Sequence, residues 1–259
     1  MRGILRMIPA SYGGNYSPLT TAWITATGES NPTILNALNT FEAELTSIGL
    51  SKFYYLYPFV GGTAYKHSLN FLDTASFQTT WSGGVTHNSN GYEGNGTTGY
   101  GNTGFNPTTA GVVSTDFGIT TYSRTATVQV ECYVGVQDGA SQIILFDFGT
   151  TRSPAVFDDS SFIFVDATTR VGLQTIIRDG ATSQIFYKDG VSFQTSARPT
   201  LASINRSLYI SARNNGGTAD WYSKKNIALQ VAHKALSPAD MVSLNTANVN
   251  FQTALSRFL

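Results

Sequence analysis

The chain has 259 residues, of which only 12% are charged, and its 16 basic and 16 acidic side chains cancel. Because no sustained basic face can form, nucleic acid is excluded as an expected partner. No segment reaches the ~18 apolar residues of a membrane helix, and the N-terminus lacks the apolar core of a signal peptide. We therefore expect a chain made without export or membrane insertion and, with a single cysteine, without an internal disulfide.

Residues 1–16 form an N-terminal arm that is too short to build a core of its own. Four apolar side chains lie close together before Pro9: Ile4, Leu5, Met7 and Ile8. Their exposure on a free monomer is unfavourable, so their burial needs either the rest of the chain or a partner. We predict that this arm is an assembly contact.

Residues 17–52 are predicted to form a helical hairpin. The pairs Ser17-Pro18 and Asn31-Pro32 mark helix starts, because proline at the first helical position needs no partner for its nitrogen. Gly28 and Gly49 should end the two helices. The second helix carries one apolar face: Ile34, Leu38, Phe41, Leu45 and Ile48. We expect the hairpin to pack at the edge of the following domain or to extend to a neighbouring molecule.

Residues 53–259 carry patterns of β structure. Between Asp73 and Asp116 the single charged side chain is Glu93, in a mixture of Gly, Asn, Ser and Thr with Tyr and Val. This mixture predicts short strands and tight turns, since glycine permits positive φ and aromatic residues favour a pleated surface. Because no strand-helix-strand alternation follows, we expect an all-β antiparallel sandwich of about ten strands.

Later segments extend this pattern. Alternating apolar residues over 126–136 predict a long half-buried strand in which Cys132 faces the core. Further strands are predicted at 142–148, 161–165, 170–177, 184–187, 191–195, 207–212 and 226–232. Asp-Gly pairs that begin at Asp138, Asp179 and Asp189 fall where type I′ hairpin turns would. Ser237 should cap a C-terminal helix, with a second short helix around 251–255.

Three pieces of sequence stand in a fixed order along residues 53–259. They are GYEGNGT at 91–97, the YKDGV hairpin at 187–191, and WYS at 221–223 followed by IALQVA at 227–232. In this order they resemble the concanavalin A-like, laminin-G-like proteins. The resemblance implies an antiparallel jelly-roll sandwich with short C-terminal helices.

The front and the end of the chain resemble a narrower group. The helix around Trp23, YPFVGGT at 57–63, NFLD at 70–73 and FQTALSR at 251–257 are similar to laminin-G-like proteins of tailed bacteriophages. In that group the module is a virion structural part: a head fibre, a decoration protein or a tail component. The resemblance implies a non-enzymatic homo-oligomer in the virion, bound to other capsid or tail proteins and able to contact host glycans.

A lectin-like carbohydrate-binding module is an alternative that overlaps with the first. Aromatic rings in polar loops, among them Tyr92, Tyr100, Trp221 and Tyr222, could stack on sugars or on a partner protein. The best candidates lie in one neighbourhood of the sequence: Arg213, Asn214, Trp221 and Tyr222. Since one of two adjacent strand aromatics must point inward, packing explains part of this pattern.

A polysaccharide-degrading enzyme is a further alternative, and it lacks its catalytic pair. A retaining glucanase needs two carboxylates about 5 Å apart. The five glutamates are Glu29, Glu42, Glu44, Glu93 and Glu131. The first three lie in the helical hairpin, and the last has no acidic neighbour two residues away. The three histidines show no zinc spacing, and the GxGxxG match at 94–99 lacks a strand before it and a helix after it. We expect no enzymatic activity.

Calcium is the one metal for which the sequence offers ligands. Asp158 and Asp159 could supply hard oxygen ligands, as loop carboxylates do in many laminin-G-like domains. Turn-forming aspartates have the same appearance. We therefore predict a turn role, keep calcium as the alternative and expect no other cofactor.

Overall fold

The computed structural model describes residues 15–149, 151–152, 154–159, 165–166 and 170–259. In these residues two β-sheets face each other, and helices cover the outer face of one sheet. The apolar cluster predicted to be an assembly contact, Ile4, Leu5, Met7 and Ile8, lies outside the described residues. So does most of the strand predicted at 161–165.

The helices lie at the two ends of the described chain. They are α1 Pro18–Thr27, α2 Pro32–Ile48, a 3₁₀ turn at Leu50–Lys52, α3 Ala64–Ser68 and α4 Pro238–Ala254. None of these helices is long and apolar enough to cross a membrane.

The strands are numbered in chain order. Sheet A contains β1 Phe53–Tyr57, β3 Val85–Asn88, β4 Gly91–Gly94, β6 Phe117–Ser123, β12 Gly172–Arg178, β13 Ser183–Lys188, β14 Val191–Ala197 and β18 Asn226–His233. Sheet B contains β2 Thr80–Ser82, β5 Tyr100–Asn102, β7 Glu131–Asp138, β8 Ser141–Phe148, β9 Thr151–Arg152, β10 Ala155–Asp158, β11 Val165–Asp166, β15 Tyr209–Ile210, β16 Arg213–Asn215 and β17 Thr218–Asp220.

Sheet A has the order β14-β13-β12-β6-β18-β4-β3, with β1 also paired to β18. Sheet B has the order β11-β9-β8-β7-β15-β5-β2, with β10 beside β8 and β16 beside β7. The pair β16–β7 is parallel, which corrects the expectation of a wholly antiparallel fold. Ser211, at φ +63°, reverses the chain between β15 and β16, so that β16 runs the opposite way along β7.

The glycine-rich segment forms short strands and tight turns, as predicted. It supplies β2, β3, β4 and β5 within 23 residues of chain. Gly91 shows why glycine is needed there, because its φ is +120° and a Cβ would lie 2.1 Å from the carbonyl oxygen of Ile227. The backbones of β4 and β18 could not approach each other with any larger residue.

The N-terminal helices begin and end as the sequence predicts. Asn31 accepts the Thr33 N–H at the start of α2, and Gly28 closes α1 in the left-handed conformation at φ +62°. Ser17 makes no capping side-chain bond. Instead, the buried Glu42 carboxylate of α2 accepts the amide hydrogens of Leu19 and Thr20 at 2.9 and 2.8 Å. A negative charge therefore lies at the positive end of α1.

The helical hairpin packs across the outer face of sheet A, which corrects the expected position at its edge. The apolar face of α2 joins one core with α4 and with outward side chains of β6, β12 and β18. Phe41 stacks on Phe251 of α4 with ring centroids 4.5 Å apart. This face is part of the protein's own core rather than a contact with another molecule.

The space between the sheets is filled by a second core that is rich in aromatic residues. Tyr55, Phe59, Tyr92, Phe105 and Phe117 are fully buried there. Their rings meet edge-on, tilted or stacked, for example Phe59 against Tyr92 at 4.7 Å. Such pairs stabilise a sandwich beyond the area they bury.

Three local expectations are corrected. The strand predicted at 126–136 begins only at Glu131, where its pairing with β8 begins opposite Asp147. Val128 and Val130 are consequently about half exposed, while Cys132 is buried as predicted. The C-terminus forms the single helix α4 rather than two. Of the Asp-Gly pairs, only Asp189-Gly190 has positive φ at both residues, as a type I′ turn requires.

Candidate functional site

Sheet B carries a cluster of tyrosines on the face that points away from sheet A. The orientation follows from Gly101, where a Cβ would meet Trp81 and Ile210 in the inter-sheet core. The neighbouring Tyr100 must therefore point outward. Tyr209 pairs with Asn102, two residues after Tyr100, and so shares this outer face.

Three rings form the cluster, which we call the tyrosine face. Tyr100 stacks on Tyr209 with centroids 4.7 Å apart and planes 25° apart. Tyr222, which follows β17, tilts against Tyr100 at 6.3 Å. Tyr209 is 9% exposed and forms the base, while Tyr100 and Tyr222 are half-buried above it. Burial, and secondarily Tyr100, raises the pKa of Tyr209, so its hydroxyl stays neutral and able to donate.

Uncharged hydrogen-bonding groups border the tyrosine face. Thr80 pairs with Asn102 and Ser82 pairs with Tyr100, so these polar side chains share the outer face. The positive charge of Arg206 is close enough to oppose the rise in the pKa of Tyr209. Arg206 is itself paired with Asp138, with Nε 2.9 Å from Oδ1. The surface thus offers aromatic rings, hydroxyls and an amide, with the adjacent arginine neutralised.

Arg213 and Asn214, proposed from the sequence as ligand contacts, hold the fold together instead. The Arg213 guanidinium makes two hydrogen bonds to Asp220, at 2.8 and 2.6 Å, and a third to Gln137 at 2.5 Å. Asn214 donates to the Ser207 carbonyl and accepts the Gly217 amide hydrogen. Both side chains are buried, so the structure gives them a supporting role behind the site.

Trp221 packs on the protein itself. The Arg213 guanidinium lies 3.5 Å from its ring centroid, and Phe146 lies 4.4 Å away. The backbone of Trp221 has φ +50°, which is uncommon for a bulky residue and directs its side chain away from the regular strand position. Of the two adjacent aromatics, Tyr222 is therefore the one that joins the tyrosine face.

The calcium candidates Asp158 and Asp159 are engaged by an arginine. Arg198 Nε lies 2.8 Å from Asp158 Oδ2, and Arg198 also contacts Asp159. Asp158 Oδ2 accepts a further hydrogen bond from Gln184 at 2.5 Å. Within the described residues, no group of three or more His, Cys, Asp or Glu side chains could hold a metal ion. The carboxylate oxygens of Asp158 and Asp159 are engaged by Arg198 and Gln184, so this arrangement is an ion pair and does not suit calcium.

Two histidines that are distant in sequence meet in the structure. The Nδ1 atoms of His67 and His87 lie 3.0 Å apart, so one ring donates to the other. Burial, with smaller effects of His87 and Arg257, lowers the pKa of His67 to about 3. Burial also lowers the pKa of His87. Both rings are therefore neutral near pH 7. The contact between the two histidines could not be predicted from their spacing in the sequence.

The structure also brings together two carboxylates that the sequence separates. Glu131 lies directly opposite Asp147 on the neighbouring strand. Both point into the sandwich, where they face Lys225 and Arg170, and all four side chains are at most 3% exposed. Spacing along one strand gives no sign of a carboxylate pair that forms across two strands, so this pair was missed in the sequence.

Several solved structures share this fold, and three of them illustrate it. Domain 4 of AbnA, a GH43 extracellular arabinanase from Geobacillus stearothermophilus solved with arabinotriose, is 15% identical, with a TM-score of 0.50 over 75% of this chain and 98% of that one. The receptor-binding domain of a botulinum neurotoxin C/D mosaic serotype is 10% identical, with a TM-score of 0.57 over 77% and 52%. Trypanosoma rangeli sialidase is 10% identical, with a TM-score of 0.56 over 83% and 39%.

At these identities the similarity establishes the fold alone. The chain spans about half of the neurotoxin structure and less than half of the sialidase. No protein-family model matches the chain, and no curated protein matches it in sequence. The structure and its similarity to these solved structures confirm the all-β sandwich with N-terminal helices that the sequence predicts.

Proposed function

We propose that this protein is a carbohydrate-binding β-sandwich and that the tyrosine face is its binding surface. The observation that carries the proposal is the stacked pair Tyr100–Tyr209 with Tyr222 beside it, on the outer side of sheet B. Aromatic rings bind sugars by covering their apolar C–H faces, while hydroxyls and amides bind the sugar hydroxyls. Thr80, Ser82 and Asn102 are placed to supply those polar contacts.

The charges favour an uncharged sugar. Arg206, which lies near Tyr209, is paired with Asp138, and Arg213, behind the site, is paired with Asp220. Binding a carboxylated sugar through either arginine would require its ion pair to open. The arabinanase domain with the same fold was solved with arabinotriose, a neutral oligosaccharide, which supports this choice.

Binding rather than catalysis is the proposed role. The carboxylates that face each other inside the sandwich, Glu131 and Asp147, are buried and paired with Lys225 and Arg170. A glycosidase needs its two carboxyl groups open to the sugar.

A virion location stays a prediction from sequence resemblance, and finding the protein only outside purified phage particles would contradict it.

Titration calorimetry with neutral arabino-oligosaccharides, after a glycan array, tests the binding proposal. We expect the double variant Tyr100→Ala, Tyr222→Ala to bind about tenfold more weakly or worse, since each stacked ring contributes ~0.5–1.5 kcal/mol. Tyr65→Ala is the matched control, because Tyr65 is an exposed tyrosine on α3. Equal affinity of the double variant and the wild type, or no glycan bound at all, would overturn the proposal. Preferential binding of sialylated glycans would overturn the neutral-sugar assignment.

A further inference from the structure

A buried lysine lies between two carboxylates at one end of the inter-sheet core. Lys225 Nζ is 2.9 Å from Glu131 Oε1 and 3.7 Å from Asp147 Oδ2. The side chains of these three residues are 0–1% exposed. The ring centroid of Tyr133 lies 5.8 Å from Nζ, near the outer limit of a cation–π contact. The amine of Lys225 and the carboxylates of Glu131 and Asp147 therefore share one site that is closed to solvent.

Each carboxylate is held in a different way. Glu131 Oε2 accepts the Ser223 hydroxyl at 3.0 Å and the Lys224 amide hydrogen at 2.9 Å, which leaves Oε1 directed at Lys225. Asp147 Oδ2 accepts the Tyr133 hydroxyl at 2.5 Å and lies 3.1 Å from Arg170 Nε. Glu131 is thus placed to exchange protons with the amine, and Asp147 Oδ2 is held by Tyr133 and Arg170.

From this arrangement we propose that Lys225 and Asp147 form an intramolecular isopeptide bond, with Glu131 relaying the protons. Lys225 Nζ gives a proton to Glu131 and attacks the Asp147 carboxyl carbon. The developing oxyanion on Oδ2 is held by Tyr133 and Arg170, as donors in an oxyanion hole hold theirs. Glu131 passes this first proton and then a second proton from Nζ to Oδ1, which leaves as water. The carbonyl re-forms at Oδ2, and the third proton stays on the amide nitrogen.

The reaction balances without any co-reactant. One ammonium and one carboxylate become one amide and one water, so no net charge, oxidant or reductant is needed. Glu131 ends as the carboxylate that it was at the start, still held by the Ser223 hydroxyl and the Lys224 amide hydrogen. Two buried charges disappear, which removes their desolvation cost. The fixed geometry replaces a bimolecular encounter, for which effective concentrations reach roughly 10⁵ M or more.

The position of the bond gives it a structural consequence. Lys225 immediately precedes β18 of sheet A, and Asp147 belongs to β8 of sheet B. The amide would join the two sheets covalently through the core. Such a cross-link limits how far the sheets can separate in the unfolded state and under force.

Intact mass spectrometry of the denatured full-length protein tests the proposal directly. We expect the wild type to be lighter than its sequence mass by about 18 Da, the mass of one water. A wild-type mass equal to the sequence mass overturns the proposal, and this outcome does not depend on any variant folding. In Glu131→Gln we expect the loss to disappear, because the proton relay is gone.

Controls separate this bond from other dehydrations. A succinimide at an Asp-Gly pair also removes one water, but it would persist in Lys225→Arg, where the proposed bond cannot form. Lys224→Arg, at the exposed neighbouring lysine, should keep the loss. A loss that persists in Lys225→Arg contradicts the proposal. Fragment spectra of a proteolytic digest should join Lys225 to Asp147, and a junction to Glu131 would overturn the assignment.

Discussion

His233 and His67 are buried in the neutral form, and each is held there in a different way. In His233, Nδ1 donates to the Lys234 carbonyl at 2.6 Å, so Nε2 accepts from the Thr120 hydroxyl at 2.8 Å. Burial lowers the pKa of His233 to about 4. His67 shares one hydrogen bond with His87, and its pKa is lowered to about 3. Neither ring can take up a proton without losing a bond or burying a charge.

We expect the free energy of unfolding to fall as the pH is lowered from about 6.5 to about 4. The unfolded chain protonates His67 and His233 near pH 6.5, whereas the folded chain does so only near their lowered pKa values. Stability is therefore complete above pH 6.5 and is lost as the pH falls, by up to about 2 kcal/mol for each histidine at pH 5. Denaturant unfolding at several pH values, with NMR titration of the imidazoles, measures this. Titration of both buried rings near pH 6.5 in the folded protein would contradict it.

Among the elements, α1 depends on a neighbouring helix for its N-terminal cap. Its own Ser17 bonds to Asn39 through both its amide and its hydroxyl. Glu42, one turn further along α2, receives the amide hydrogens of Leu19 and Thr20 and the hydroxyl of Thr20. The two helices are thus joined by a buried, charged cap as well as by apolar packing.

Glu42→Gln should reduce the free energy of unfolding by about 2 kcal/mol, because hydrogen bonds to a charged acceptor and the favourable helix-end charge are both lost. Glu44→Gln on the same helix is the control, since the amide oxygen can keep the contact with Asn250. Chemical denaturation of the two variants beside the wild type gives the comparison. A loss in Glu44→Gln as large as that in Glu42→Gln would show that the cap contributes nothing specific.

Helix ends were predictable because their signals are local. Pro18 and Pro32 mark the starts and Gly28 marks an end within a few residues of the features they control. The start of β7 was not predictable, because it depends on the pairing with β8 rather than on the apolar alternation along one strand. The cap by Glu42 was missed for the same reason, since a glutamate on a helix gives no sign in the sequence of the helix it will face.

For the whole molecule, the sequence predicted the layers better than their arrangement. The period of two over the central segment and the apolar stripe of α2 indicated a sandwich and a packing helix. Which sheet the helices cover follows from long-range contacts such as Phe41 with Phe251. The tyrosine face likewise joins residues 100, 209 and 222. Tyr100 and Tyr222 were both named from the sequence, but nothing in the sequence showed that they meet or that Tyr209 joins them.

The helical layer and the sandwich should unfold as one cooperative unit, because α2, α4 and the outer side of sheet A share a single core. Phe41 is fully buried and stacked on Phe251, so Phe41→Ala should cost about 3 kcal/mol or more. The melting temperature should fall equally in far-UV circular dichroism, which follows the backbone, and in tyrosine fluorescence, which follows the sandwich. Thr40→Ala, at an exposed position of the same helix, should leave both signals unchanged. If the helical signal melted first while the sandwich kept its wild-type melting temperature, the hairpin would be a separate unit resting on the sheet, and the shared core would not be what stabilises the fold.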